Sequence, residues 1–345
     1  LIQIMRTFVG EFVCGGGFGQ RPIGSIARSL RREGVAMLRS LVTDLAELGE
    51  VTVPVDPQFE LQLPANVASI AIDQRKPLWP QWVAIARDCD AAIIIAPEQD
   101  GILAQAVAML RASGVDVVMS SGDFLRVAGD KWETARLFNA HQVPHPPTFS
   151  STNLPSAEDH ARRWVVKPRD GCGTDQIQTF DALEDALREL TDRSILQAWC
   201  EGAPVSVGVI VNGSQMTLLP AVAQQIKQKS CAYAGGQGPL PDHAQQRVTS
   251  LTSYALAAMP RFARGFVGLD LVLADRPADD KVIEVNARLT TSYVGLRKMV
   301  EGNLAERLLG QGTGPVRCCV GEEAVRWSAD GQVWVNDERV DEPSG

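Results

Sequence analysis

The chain lacks the clusters that mark metal centres and disulfide frameworks. Seven cysteines are scattered at 14, 89, 172, 200, 231, 318 and 319 without a CxxC, and the four histidines (141, 145, 160, 243) show no ligand spacing. Neither a zinc site nor a disulfide framework is expected, and reduced cytoplasmic thiols are. No apolar run approaches the ~18 residues that span a bilayer. The opening LIQIMRTFVGEF has neither the basic start nor the long apolar centre of a signal peptide. Positive charge is not in excess: 33 basic residues stand against 41 acidic, a net −8. That disfavours a broad nucleic-acid face but leaves room for a local basic pocket. Internal repeats and low-complexity segments are missing too. What remains is an ordinary composition, 45% hydrophobic and 21% charged over 345 residues, enough for two or three domains with real cores.

The first third alternates strand and helix patterns. MRTFVGEFV (5–13), VTVPVD (51–56), CDAAIIIAPE (89–98) and VDVVMSS (115–121) read as strands. Between them, 26–49 places Val35, Leu38, Leu41, Val42, Leu45 and Leu48 at helical spacing, and 102–114 reads as a helix ending in glycine. The fully apolar strand and the alternation predict an open α/β sheet. An Asp-led helix and a Pro-rich connection follow in DKWETARLFNAHQVPHPPTF (130–149), placing a domain boundary near 122–130. Beyond it come strands at 164–168 and 194–202 with a helix between them (181–190), a hairpin turned at Asn212-Gly213, and a last hairpin turned at Asp330-Gly331. A large antiparallel sheet is expected to fill the second half.

The chemistry-bearing residues lie in that half. In VVKPRDGCGTDQ, Lys167 ends a strand and opens a loop in which Gly171 and Gly173 let backbone N–H groups approach phosphate. Lys131, at the start of a helix, would add a second positive charge. Late in the chain GFVGLDLVL (265–273) precedes KVIEVNARLTT (281–291). Residues two apart on a strand face one side, so Glu284 and Asn286 point together and Asp270 joins them from the neighbouring strand. Such hard oxygens suit Mg²⁺. Without a cation, two buried carboxylates would cost several kcal/mol or take up a proton. The competing reading is structural ion pairing, Asp270 with Arg288 and Glu284 with a lysine. Each feature alone is weak; the order lysine, lysine, linker strand, Asp, Glu-x-Asn is specific.

With DKWETARLF, VVKPRDGCGT, ILQAWCEG, GLDLVL and VIEVNARLTTSYVGL in place, the chain resembles the ATP-grasp superfamily of carboxylate–amine ligases from about residue 120 to 310. The resemblance implies an N-terminal pre-ATP-grasp α/β domain (1–122), then a two-subdomain α+β fold with antiparallel sheets. These are a small ATP-binding subdomain (123–200) and a large subdomain (201–345), with ATP between them. It implies that Lys131 and Lys167 bind phosphates, and that Gln197 and the backbone of Ala198, Trp199 and Cys200 hold adenine. Asp270, Glu284 and Asn286 would hold Mg²⁺, one ion or two, with Mn²⁺ as a substitute. Two departures stand out. Pro204 occupies the stretch where many members bind ribose with an acid, leaving Glu201 as the substitute. Gly268 stands where many ligases place an arginine beside the acyl phosphate, leaving Arg288 as the catalytic candidate; its alternative is a structural arginine paired with Glu284.

The N-terminal third carries EFVCGGG, REGVAML, TDLAELG and IIAPEQDGIL. With the N-A-R-x-T-T-S-Y segment, these resemble the archaeal tyramine–glutamate ligases of methanofuran biosynthesis. The implied reaction joins the γ-carboxylate of glutamate to tyramine or a related amine and yields ADP and phosphate. Small-molecule acid and amine substrates are the implied partners, and a homodimer the family-style expectation. Glu33 and Glu98 are candidates for substrate contact; Glu33 also suits a simple helix-dipole role. The polar segment 224–241 reads as a lid or as a disordered loop, with Lys227 or Lys229 on the γ-phosphate and Tyr233 walling the amine pocket. Three rivals are weighed: an oxidoreductase, a regulatory protein that kept the fold, and an amino-acid ligase with other substrates. The first fails on CGGGFG, which does not fit GxGxxG in frame with its helix. The second leaves a full metal set without a purpose.

Overall fold

The computed structural model describes residues 5–156, 159, 163–171, 176–227 and 231–340. The N-terminal third folds as β1 (Met5–Glu11), α1 (Arg28–Ala46), β2 (Gly49–Val55), β3 (Val67–Ala71), α2 (Leu78–Ala86), β4 (Ala91–Ile95) and α3 (Ile102–Ala112). The four strands are parallel, in the order β3-β2-β1-β4. All five residues of β4 are buried, as its unbroken apolar run predicts. On α1 the buried positions include Gly34, Leu38, Leu41 and Leu45, one stripe at helical spacing. The segment 115–121 is no full strand. It joins the free edge of β4 through one bridge, Ala92 to Val117.

The glycine triplet makes a tight turn, not a phosphate cradle. Gly15 N–H donates to Glu11 O, Gly17 N–H to Phe12 O and Gly19 N–H to Gly16 O, so these donors are spent within the turn. Trp82 packs on it and donates its indole N–H to Gly15 O at 3.0 Å. A Cβ at Gly15 would stand 2.8 Å from the Trp82 ring.

Two helices, α4 (Gly122–Ala128) and α5 (Lys131–Ala140), lead into a small antiparallel sheet. Asp130 caps α5 by accepting the N–H groups of Trp132 and Glu133. The small sheet comprises β5 (Thr148–Phe149), β6 (Trp164–Pro168), β7 (Gln178–Phe180) and, after α6 (Leu183–Glu189), β8 (Ser194–Ala198). Its order is β5-β8-β6-β7. It has its own core of Trp164, Val166, Ala186, Leu196 and Ala198. Phe124, Leu125 and Phe138 of α4 and α5 belong instead to the main core. In packing terms α4 and α5 go with the main body.

The rest is one large sheet with helices packed on it. Its elements are β9 (Ala203–Asn212), β10 (Gln215–Leu218), β11 (Val222–Ile226), β12 (Tyr233–Gly238), α7 (Asp242–Ala258), β13 (Gly265–Leu273), β14 (Lys281–Asn286), α8 (Tyr293–Leu296), α9 (Leu304–Leu308), β15 (Val325–Ser328), β16 (Val333–Val335) and β17 (Glu338–Val340). The order is β14-β13-β9-β11-β12-β15-β16-β17, with β10 on β9. The β9–β10 hairpin turns at Asn212-Gly213, where Gly213 has φ +60°. The glycine-rich run 233–238 is a strand, not a lid or loop. This sheet and the N-terminal sheet share one continuous core.

Candidate active site

The site lies where β13 and β14 face the small sheet. Register pairs Asp270 with Glu284 and Gly268 with Asn286, so the three oxygen-bearing side chains share one patch. Asn286 Nδ2 donates to Asp270 Oδ2 at 3.1 Å and Gln224 Nε2 donates to Asp270 Oδ1 at 2.8 Å. Burial above all, and then the charge of Glu284, pushes the Asp270 carboxyl up to about 6. Burial pushes Glu284 up as well, but Lys131 and then Lys167 outweigh it and hold that carboxyl below its ordinary value. Lys131 Nζ lies 3.1 Å from Glu284 Oε1 and donates to Gly171 O at 3.0 Å. Lys167 is buried, and desolvation lowers it to about 8 although Glu284 opposes the shift.

The two lysines reach the site from opposite bodies. Lys131 opens α5, which packs in the main core, and Lys167 lies on β6 of the small sheet. The described part of the phosphate loop docks on the start of α5. Lys131 N–H donates to Arg169 O at 2.8 Å, and Arg169 pairs with Asp130 at 2.6 Å. Cys172 and Gly173 lie outside the described residues.

The donor set fits a divalent cation. One half-buried carboxylate is held ionised by lysines and its register partner is driven toward protonation, so the pair is short of positive charge. Among the described residues no three His, Cys, Asp or Glu side chains converge. Two carboxylates and an amide oxygen leave the remaining positions to water and phosphate, the habit of Mg²⁺.

Behind the lysines runs a slot lined by Lys131, Phe138, His145, Gln197, Val282 and Glu284. It encloses about 10 Å³, room for one water and not for a purine. Gln197 Nε2 donates to Thr148 Oγ1 at 2.9 Å. The strand ends at Ala198, short of the 202 expected from sequence, because the linker is drawn elsewhere. Ala198 N–H donates to Pro147 O and Trp199 N–H to Arg163 O, both at 2.9 Å. Among the described residues Cys200 N–H has no backbone partner. Glu201 is exposed.

The remaining predicted residues divide. Arg288 is not paired with Glu284. Its Nε donates to Glu98 Oε2 at 3.0 Å, and its Nη2 stands 3.5 Å from Asn286 Oδ1. Nor does Asp270 take Arg288 as its partner, as the structural ion-pair reading required. Gly268 has a steric reason: a Cβ there would sit 2.6 Å from Thr290 Cγ2. Tyr233 accepts the Trp327 indole N–H at 2.9 Å, and burial first, then Glu33 and Asp270, raises its phenol. Tyr233 thus lies within electrostatic reach of both Glu33 and Asp270. Lys227 is exposed and donates its backbone N–H to Ala232 O, and Lys229 lies outside the described residues. Sequence reasoning missed Gln224; its signal was a polar residue on the inner face of VAQQI.

The family model described as ATP-grasp domain matches residues 128–292, and the pre ATP-grasp 3 domain matches 50–123. The chain belongs to the ATP-grasp superfamily. It is similar to a tyramine–L-glutamate ligase from Methanocaldococcus fervens, 26% identical over 281 residues, 80% of this chain and 86% of that protein. A crystal structure of a putative ATP-grasp superfamily protein from Archaeoglobus fulgidus superposes with TM-score 0.71 at 27% identity, covering 91% of this chain and 90% of the other. An L-amino acid ligase from Bacillus licheniformis shares the fold, with TM-score 0.63 at 13% identity over 93% and 78% of the chains. This ATP-grasp chain is an ATP-dependent ligase that forms C–N bonds. No helix among the described residues is long and apolar enough to cross a membrane.

Proposed function

We propose that this ligase joins the γ-carboxylate of glutamate to tyramine or a related amine through an acyl phosphate, releasing ADP and phosphate. The observation that carries the chemistry is the patch of Asp270, Glu284 and Asn286 facing two lysines that belong to different bodies. Lys131 and Lys167 neutralise phosphate oxygens from opposite sides and fix the γ-phosphoryl group against the acid, so that positioning and charge supply most of the rate. Asp270, Glu284 and Asn286 would hold Mg²⁺, which when bound neutralises phosphate charge. Gln197 and the Cys200 N–H hold adenine, and Arg288 stands at the acyl-transfer end. The substrates rest on the two similar curated proteins, both named tyramine–L-glutamate ligase, and on the resemblance of the N-terminal third. A place in building methanofuran-type cofactors follows from the same reading.

The test is ADP release with Mg-ATP over a matrix of amino acids and amines, with the amide identified by mass. Stimulation by glutamate with tyramine is the expected result. Stimulation by another pair keeps the ligase and replaces the substrates.

A further inference from the structure

Glu98 follows β4 at the carboxyl edge of the parallel sheet, the edge at which open α/β sheets receive ligands. Its side chain is 7% exposed. Oε2 accepts Arg288 Nε at 3.0 Å, whereas Oε1 is buried and has no hydrogen-bond partner among the described residues. An ionised carboxylate can accept about four hydrogen bonds. A buried oxygen without a donor is unfavourable, and native structures keep few of them.

We propose that Oε1 of Glu98 receives the nitrogen of the amine substrate. The inference rests on the ligase reading above and assigns the two substrates to opposite sides of Arg288. On one side Arg288 approaches Asn286 and the phosphate end of the site. On the other it holds Glu98 Oε2 and leaves Oε1 without a donor. A bare carboxylate oxygen repels the acid and attracts an N–H donor, cationic or neutral. Glu98 is thus an amine-binding residue, and the Arg288–Glu98 pair sets the nitrogen beside the acyl group.

The experiment compares the full-length wild type with Glu98→Gln. Two nucleophiles are offered with Mg-ATP and glutamate: tyramine, and hydroxylamine at high concentration, which traps an acyl phosphate as hydroxamate without an anchored nitrogen. The expected result is a KM for tyramine raised at least about tenfold, with amide formation falling at least about tenfold further than hydroxamate formation. A tyramine KM within about twofold of wild type overturns the proposal. So does an equal fall in both products, which would mean that Glu98 acts only by holding Arg288. If Glu98→Gln does not fold, Glu98→Asp keeps the charge, shortens its reach and is expected to raise the tyramine KM in the same direction. If wild type yields no hydroxamate from glutamate, the substrate reading fails instead. Calorimetric binding of tyramine in Mg-ADP then still decides Glu98: weaker binding in Glu98→Gln supports it, equal binding overturns it.

Discussion

The main body and the small sheet are joined to their neighbours in opposite ways. Where α1 meets the large sheet, the seam is buried. Asp44 accepts the Tyr293 hydroxyl at 2.7 Å and Arg297 Nε at 2.8 Å, and Asn303 Nδ2 donates to the Asp44 carbonyl. Asp44 and Arg297 are 8% and 5% exposed. Gly265 allows a close approach, since a Cβ there would lie 2.3 Å from Val118 O. The small sheet has its own core and touches the N-terminal body through surface groups. Arg193 pairs with Asp100 at 2.5 Å with both side chains more than half exposed, and Asp100 N–H donates to Asp170 Oδ2. Arg169–Asp130 is only partly covered. Buried, fully bonded charges are hard to separate; exposed pairs contribute about 0–1 kcal/mol and are screened by salt. The contrast makes the joint of the small sheet the weaker of the two.

The largest expected effect breaks the rigid seam. Asp44→Ala removes the buried carboxylate that Tyr293 and Arg297 share and is expected to cost about 3–5 kcal/mol in urea unfolding. A loss below about 1 kcal/mol would equate the two joints and sink the distinction. Next comes the site between the two bodies. Lys167→Ala and Glu284→Ala are each expected to lower turnover about 10²–10³-fold while the fold persists. Near-wild-type ADP release with the correct substrates would refute the site. Third, the ligand-free protein should reveal Asp270 in its pH dependence. The carboxyl titrates at about 6 instead of 3.8, so the folded state binds the proton more tightly between those values. Stability therefore falls as pH rises through that window. The stability of Asp270→Asn relative to wild type should rise by about 2 kcal/mol from pH 4 to pH 6, and a flat difference would contradict the shift. The smallest effect is Arg193→Ala, with a stability change within about 0.5 kcal/mol. A cost near that of Asp44→Ala would show the small sheet to be fixed.

Much of this was legible in the sequence. Helical spacing outlined α1, the apolar run outlined β4, and period two in VIEVN put Glu284 and Asn286 on one face. The edge strand β3 was not legible, because four of its five residues are exposed and no apolar alternation marks it. The helix α7 was hidden by a polar first half. The glycines of β12 resemble a loop, yet they stand where the neighbouring strand β15 presses close: a Cβ at Gly236 would sit 2.3 Å from Trp327 Cζ2, and one at Gly235 2.0 Å from Trp327 O. The Glu98–Arg288 pair could not be read from periodicity, since 190 positions separate the partners.

The water-sized slot has a kinetic consequence. On the adenine reading proposed above, a slot that holds one water must widen before a purine enters, so its closed form would compete with nucleotide. Apparent affinity is then the intrinsic affinity scaled by the fraction of molecules standing open. Substitutions that loosen the exposed pairs of the small sheet would change how fast ATP enters without altering any group that touches it.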